Sequence, residues 1–369
     1  MFGITSNIHF LTEVSSKNVL YILYKFFSKI NLYIKIKITN DKITRKRLLP
    51  LKSEKAAPVF WTYVILKKLG IKIGHYTNTE GLTGATVIIP DNGADIGIDV
   101  RGSDTGTINI PAYEIKGADK TVEAIVLTGG STAGLECSIG VMDYLKSPSV
   151  VGAVIYDRKI GKDIRPHLKD GIEMAKNANY NNLQQGNIGV GTGATTGKWI
   201  YKNRIKGGFG ISIKKISNNA YIGAFVVTNA VGDVINPITK EFYSESGKYD
   251  FNNYYDKNFG NKNIERGTNT TLAVIVTNVE MTREELIKVS ELAQDGMARA
   301  IYPVHTNWDG DVIFSISPHC KNRIKLDLNS FDLVNYIGIV ASDILIEAIN
   351  NGIKNAESIG GFRAFRDIK

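Results

Sequence analysis

A hydroxyl residue stands where a polar, turn-prone run passes into an apolar strand. Arg266-Gly267-Thr268-Asn269-Thr270-Thr271 leads directly into Leu272-Ala273-Val274-Ile275-Val276. Ahead of it, Tyr243 to Asn263 is rich in Asn, Tyr, Lys and Gly and reads as a flexible, exposed loop. A hydroxyl held at the first position of a buried strand, behind such a loop, is placed to attack the carbonyl that precedes it. Asn269–Thr270 is then the scissile bond and Thr270 an N-terminal nucleophile. A solvated threonine at an ordinary loop-to-strand junction fits the same local residues.

Three further stretches carry groups that could serve acyl chemistry. In Gly189-Val190-Gly191-Thr192-Gly193-Ala194-Thr195-Thr196-Gly197-Lys198, a Walker loop would need glycine at Thr192 and a hydroxyl where Trp199 stands. A dinucleotide fingerprint begun at Gly189 lacks the acidic residue some 20 positions on, where Gly207-Gly208-Phe209-Gly210 lies. Closely spaced glycines do let backbone amides approach a substrate and would let Lys198 reach a cleft; a tight turn with an exposed lysine fits equally. Asn229, at the end of the apolar run Val226-Val227-Thr228, can donate to a developing oxyanion or cap a turn. Asp309 and Asp311 flank Gly310. On an extended segment both carboxylates face one side, whereas a hairpin turn would part them. No metal is expected there, since His305 precedes Asp309 by four in a proline-containing loop and gives no ligand spacing. A Gly-x-Ser-x-Gly elbow fails around Ser131, because Ala133 takes the second glycine position.

Strands and helices in mixed order must position these groups. Ile71–Tyr76 and Gly84–Pro90 read as a strand pair, Asp95–Val100 as a strand entering the Gly-rich turn Arg101–Gly106, and Ala124–Leu127 and Val150–Tyr156 as buried strands. Between the last two, a helix would bury Leu135, Ile139, Met142 and Leu145 at helical spacing. Ile164 to Ala178 reads as a helix, and Phe209–Ile216, Tyr221–Thr228, Thr271–Asn278 and Asp311–Ser317 as strands. Thr282-Arg283-Glu284-Glu285 is a capping box opening a helix with Leu286, Val289, Ala293 and Met297 on its buried stripe. Ser330 is expected to cap a last helix that buries Leu333, Ile337, Val340 and Ile344. The pattern is α/β (α+β) in one body from residue 66 to 369.

The net charge of +9 on 369 residues invites a nucleic-acid reading, but the charge is local. Residues 1–55 hold eleven basic and three acidic residues, leaving 45 − 11 = 34 basic against 36 − 3 = 33 acidic in the rest. The excess belongs to an N-terminal arm, residues 1–65, expected to be poorly ordered, and no nucleic-acid partner is expected of the body. Val19–Tyr24 is apolar, but Lys25 and Lys29 break the run before it could span a bilayer, and no secretory cleavage site follows. Cys137 and Cys320 are too few and too far apart for a disulfide framework or zinc site, which fits a reducing, cytoplasmic setting.

Together these motifs resemble the self-processing N-terminal-nucleophile hydrolases that include D-aminopeptidase/esterases, β-peptidyl aminopeptidases and nylon-oligomer (6-aminohexanoate-oligomer) hydrolases. The resemblance runs from about Ile71 to the C-terminus. Val126–Ser131, Gly191–Lys198, Asn269-Thr270-Thr271, and Ala298–Thr306 leading into Asp309-Gly310-Asp311 carry it. It implies a four-layer αββα sandwich, cleavage into 1–269 and 270–369, and a homo-oligomer, a tetramer of processed protomers, acting on small peptides or amides without a cofactor. It assigns Thr270 as nucleophile, Asp309 and Asp311 to the network around it, Lys198 and Asn229 to the cleft, and also Tyr156. Lys198 would then balance the two carboxylates. An acyltransferase of related architecture and a catalytically silent homologue are the alternatives.

Overall fold

The computed structural model describes residues 64–117, 121–199, 204–244 and 268–368. The arm, apart from its last two residues, and nearly all of the Tyr243–Asn263 loop lie outside the described residues. In chain order the strands are β1 Ile71–Asn78, β2 Thr83–Pro90, β3 Ala94–Val100, β4 Thr107–Ile108, β5 Thr121–Val122, β6 Ala124–Thr128, β7 Val150–Val154, β8 Thr195–Thr196 and β9 Ile205–Lys206. There follow β10 Gly208–Ser217, β11 Ala220–Asn229, β12 Asp233–Val234, β13 Thr270–Thr277, β14 Ile301–Tyr302 and β15 Val312–Pro318. The principal helices are α1 Glu136–Leu145, α2 Leu168–Lys176, α3 Arg283–Ala300 and α4 Ser330–Asn355.

Two sheets stack face to face between two layers of helices. One runs β1-β2-β6-β7-β4 and the other β10-β11-β13-β15-β3-β5. Three apolar layers hold them together. Ile71, Ile88, Ile125 and Leu127 of the first sheet meet Phe225, Leu272, Val274 and Phe314 of the second. Ala273, Ile275 and Ile313, on the other face of the second sheet, pack on Leu286, Val289, Ala293 and Met297 of α3 and Ile337, Ala341 and Ile344 of α4. Val87 and Val126 pack against Cys137 and Val141 of α1 and Met174 of α2. This is the αββα sandwich. β13 is central in it and buried at all eight positions, so its odd and even side chains serve two different cores.

β13 runs antiparallel to β11, with Asn229 opposite Thr270, and parallel to β15, with Leu272 opposite Val312. The parallel pair needs a crossover, and α3 supplies it. Its start follows the expected capping box: Thr282 accepts from the Glu285 amide, and the Glu285 carboxylate accepts from the Thr282 N–H.

Several local expectations are corrected. The last helix is capped by Asn329, whose side chain accepts from the Asp332 amide, and Ser330 is already helical. Val340 of that helix is only partly buried against the core. The buried residues of α1 are Cys137, Ser138, Gly140 and Val141, while Ile139 is exposed. Met142 and Leu145 of the expected stripe do pack, partly buried, against that core, whereas Leu135 belongs to a 3-10 turn at Ser131–Leu135 that precedes the helix. α2 begins at Leu168 and not at Ile164, because Pro166 disfavours helical geometry in the residue before it. Tyr243 and Ser244, the first residues of the supposed exposed loop, are buried, and the Tyr243 hydroxyl bonds Asn350 Oδ1 at 2.5 Å. Among the described residues no helix is long and apolar enough to cross a membrane.

Candidate active site

The ladders on either side of Thr270 differ. Toward β11 the pairing is continuous through Asn229↔Thr270. Toward β15 it is interrupted: Asn269 forms an isolated parallel bridge with Asp309, and regular pairing resumes only at Leu272↔Val312. Thr270 and Thr271 on one side, Gly310 and Asp311 on the other, occupy the gap. There the Gly310 N–H donates to the Asn269 carbonyl oxygen at 2.9 Å, and the Thr270 hydroxyl makes a short hydrogen bond to that same oxygen. Gly310 fits because it lacks a Cβ, which would sit 2.7 Å from Thr270 Oγ1 and 2.6 Å from the Asp104 carbonyl oxygen. Asn269 is further held by donation from its Nδ2 to the Trp308 carbonyl at 3.2 Å.

The two carboxylates are buried and face different partners. Asp309 Oδ1 accepts from the Val231 amide at 3.1 Å, and its Oδ2 accepts from the Thr306 amide and hydroxyl at 3.0 and 2.6 Å. Burial, then the charge of Asp311, raises Asp309 to about 6, against the pull of the Thr306 hydrogen bonds. Asp311 Oδ1 accepts from the Thr271 amide at 2.6 Å, and Oδ2 accepts from His305. Asp311 therefore grips the backbone next to Thr270, while Asp309 ties the segment after Asn229 to the Thr306 turn.

Lys198 is buried and not exposed. Its ammonium donates to the Asn229 carbonyl at 2.8 Å, to Asn229 Oδ1 at 2.9 Å and to the Thr268 carbonyl at 2.9 Å. Its direct partners are thus carbonyl oxygens, while Asp309 acts on it through its charge. Burial first, then the nearby Arg204 charge, lowers its pKa well below the ordinary lysine value. The amide nitrogen of Asn229 donates to the Thr268 carbonyl at 3.3 Å and to the Tyr156 carbonyl at 3.4 Å, and its Oδ1 also accepts from the Thr195 amide at 3.1 Å. In the intact chain Lys198 and Asn229 therefore converge on the carbonyl of Thr268, one residue before the one that Thr270 touches. Tyr156 enters this geometry through its backbone oxygen.

Behind the site, Asp157 accepts from the Gly130 amide at 2.7 Å and the Thr83 hydroxyl at 2.8 Å. Full burial raises it to about 6. The edge-to-face rings of Trp199 and Trp308, 5.8 Å apart, follow directly on Lys198 and precede Asp309.

Among the participants that escape the sequence reading are the Gly310 amide, the Thr268 carbonyl, the Thr306 hydroxyl and the His305 ring. Thr306 leaves a trace, since a hydroxyl three residues before an aspartate is a local turn spacing. His305 leaves none, because its left-handed backbone, φ 55°, turns it back toward Asp311 six residues on.

This arrangement sets a hydroxyl against the preceding carbonyl, an amide on the same oxygen, and buried charges around them. Known proteins share the sequence and the fold that carry it. The model of peptidase family S58 matches residues 68–366. An uncharacterized aminopeptidase of Mycobacterium tuberculosis is 28% identical over 339 residues, covering 81% of this chain and 96% of its own. A 6-aminohexanoate-oligomer endohydrolase of Paenarthrobacter ureafaciens is 28% identical over 309 residues, 76% of this chain and 83% of its own. The solved structure of the L-aminopeptidase D-Ala-esterase/amidase of Ochrobactrum anthropi, an Ntn-hydrolase fold, superposes with a TM-score of 0.59 at 18% identity, over 79% of this chain and 86% of that one. The chain belongs to peptidase family S58 and is a hydrolase of amide bonds.

Proposed function

We propose that the chain cuts itself at Asn269–Thr270 and that Thr270 then works as an N-terminal nucleophile on small peptides or ω-amino amides. The observation that carries this reading is the shared acceptor: the Thr270 hydroxyl and the Gly310 N–H both hydrogen-bond the Asn269 carbonyl oxygen. In the first step Thr270 Oγ1 adds to the Asn269 carbonyl carbon, and Gly310 N–H stabilises the oxyanion. The C–N bond breaks as the Thr270 nitrogen takes the proton lost by the hydroxyl, leaving an ester. Water hydrolyses it to the Asn269 carboxylate, the free hydroxyl and the free amine.

The new α-amine, with an ordinary pKa of roughly 7.7–8.0, keeps an appreciable neutral fraction near pH 7 and serves as base for its own hydroxyl. Departure of Thr268 and Asn269 leaves the Asn229 amide and the Lys198 Nζ without the carbonyl they held, and they become donors for the oxyanion of the substrate. Attack acylates Thr270, the amine product leaves, and water releases the acid. Asp309 and Asp311 keep the nucleophile in place through Val231 and Thr271. The processed protomers assemble as a homo-oligomer in the cytoplasm.

The test is N-terminal sequencing of the purified protein's fragments, alongside Thr270→Ala. A fragment beginning Thr-Thr-Leu-Ala-Val-Ile from the wild type, and an intact, inactive Thr270→Ala chain, are expected. Cleavage of the Thr270→Ala chain at the same bond would overturn the assignment. Aminoacyl anilides and 6-aminohexanoate oligomers, assayed with and without an added amine acceptor, define the substrate class and separate hydrolysis from transfer.

A further inference from the structure

We infer that His305 is a positioning residue, acting through Asp311 to hold the start of β13 in the geometry from which Thr270 attacks. The inference rests on the reading of Thr270 as nucleophile and extends it to a residue outside the expected set. Its ground is the interrupted ladder. Between the Asn269/Asp309 bridge and the Leu272↔Val312 pair, β15 offers no regular pairing to β13. The Thr271 N–H finds a side chain instead, Asp311 Oδ1 at 2.6 Å. One carboxylate oxygen thus stands in for one rung of a ladder, immediately after the nucleophile.

A carboxylate held through one oxygen is free to turn about its Cβ–Cγ bond. Asp311 is not. Its second oxygen accepts from both the backbone N–H of His305, at 3.2 Å, and the ring Nδ1, at 2.9 Å. The Asp311 side chain is wholly buried, and the imidazole over it is 19% exposed. The donor role fixes the proton on Nδ1. The other ring nitrogen, Nε2, is buried and has no hydrogen-bond partner among the described residues. The His305 side chain therefore brings one N–H to the site, beside the backbone N–H of the same residue. The chain of contact runs His305 Nδ1–H to Asp311 Oδ2, Asp311 Oδ1 to Thr271 N–H, and one residue back to Thr270.

The backbone of His305 supplies a clean experiment. At φ 55° an alanine would add strain of its own, whereas asparagine and glycine both accept the left-handed region. His305→Asn keeps an N–H donor of similar reach, and His305→Gly removes it without strain. A misplacement of about 1 Å can cost roughly 100-fold in rate. We expect His305→Gly to slow self-cleavage and lower kcat of the matured protein by about 10- to 100-fold, with KM within about threefold. His305→Asn is expected to recover most of both rates.

Cleavage is followed on denaturing gels, kcat and KM with an aminoacyl anilide, and folding by the thermal unfolding midpoint. Should His305→Gly not fold, His305→Ala, which also lacks the side-chain N–H, takes its place, its backbone strain being read from the unfolding midpoint. Wild-type rates in His305→Gly would overturn the inference, as would equal losses in the Gly and Asn variants, which would mean the ring matters by its bulk. Thr270→Ala run in parallel keeps the two readings separate. Cleavage of that variant defeats the nucleophile itself, whereas its block beside a normal His305→Gly defeats only the positioning role.

Discussion

Gly310→Ala isolates the step of self-cleavage. Gly310 is absent from the left-handed glycines, so an alanine meets no backbone penalty of that kind. What it meets is the site. Its Cβ would lie 2.7 Å from Thr270 Oγ1 and 2.6 Å from the Asp104 carbonyl oxygen. A carbon approaches such atoms comfortably only near 3.5 Å, so the nucleophile or the Asp104 loop must retreat by roughly 0.5–1 Å. Either movement spoils the shared acceptor, by turning Thr270 Oγ1 away from the Asn269 carbonyl or by tilting the Gly310 N–H off it. Loss of one oxyanion donor costs about 2.7–4 kcal/mol, a factor of roughly 100 to 1,000. We expect the half-time of conversion of pulse-labelled intact chain into 1–269 and 270–369 to lengthen by that factor. The thermal unfolding midpoint should fall as well, since the atoms met are the Asp104 backbone oxygen and the hydroxyl of the buried Thr270, so the rates are compared on folded protein. Cleavage within about threefold of wild type would refute the claim that the Gly310 amide activates the scissile carbonyl.

Two predictions concern pH. Asp309, raised to about 6 by burial and then by Asp311, is drawn down by the Thr306 hydrogen bonds, so Thr306→Val should raise it further. If the Asp309 carboxylate is the form that holds Val231, the acid limb of the self-cleavage rate lies near pH 6 in the wild type and at higher pH in Thr306→Val; an unchanged or lower midpoint contradicts this. Asp157 is raised to about 6 by burial from its ordinary 3.8, so the folded state holds its proton more tightly than the unfolded chain. Its contribution to stability is then full below about pH 4 and lost as pH rises through 6. Asp157→Asn keeps the acceptor for the Gly130 amide and cannot titrate, so its unfolding midpoint relative to wild type should improve between pH 4 and pH 8. A difference that stays constant with pH would refute the assignment.

Much of the frame is legible in the residues, and the limits have physical causes. The α3 capping box and its stripe of Leu286, Val289, Ala293 and Met297 are local features with local causes, and they stand as read. The β1–β2 pair likewise needs only neighbours in sequence. β13 is harder, because burial on both faces erases the alternation that would tell which face is which. The site needs longer reach still. Nothing around Lys198 announces that Asn229 and Thr268, 31 and 70 residues away, will surround its ammonium with oxygen. Asn229 could be placed at the end of a strand from sequence, but its place beside Thr270 exists only through the β11–β13 register. His305 has no metal-ligand spacing in the sequence, yet it meets Asp311 through a backbone turn that periodicity does not reveal.

The order of the second sheet has a consequence for the life history of the molecule. β13 and β15, both downstream of Thr270, lie between β11 and β3, both upstream of it. Before the proposed cut, these strands find one another within one chain, and folding is a first-order event. After it, the same sheet is a woven pair of polypeptides with each half seated inside the other. Unfolding would release two molecules that must meet again at a rate set by their concentration, with the central two strands exposed until they do. The matured protein would then persist chiefly because its unfolding is slow. Each molecule would have one easy passage to its native state, taken while it is still whole.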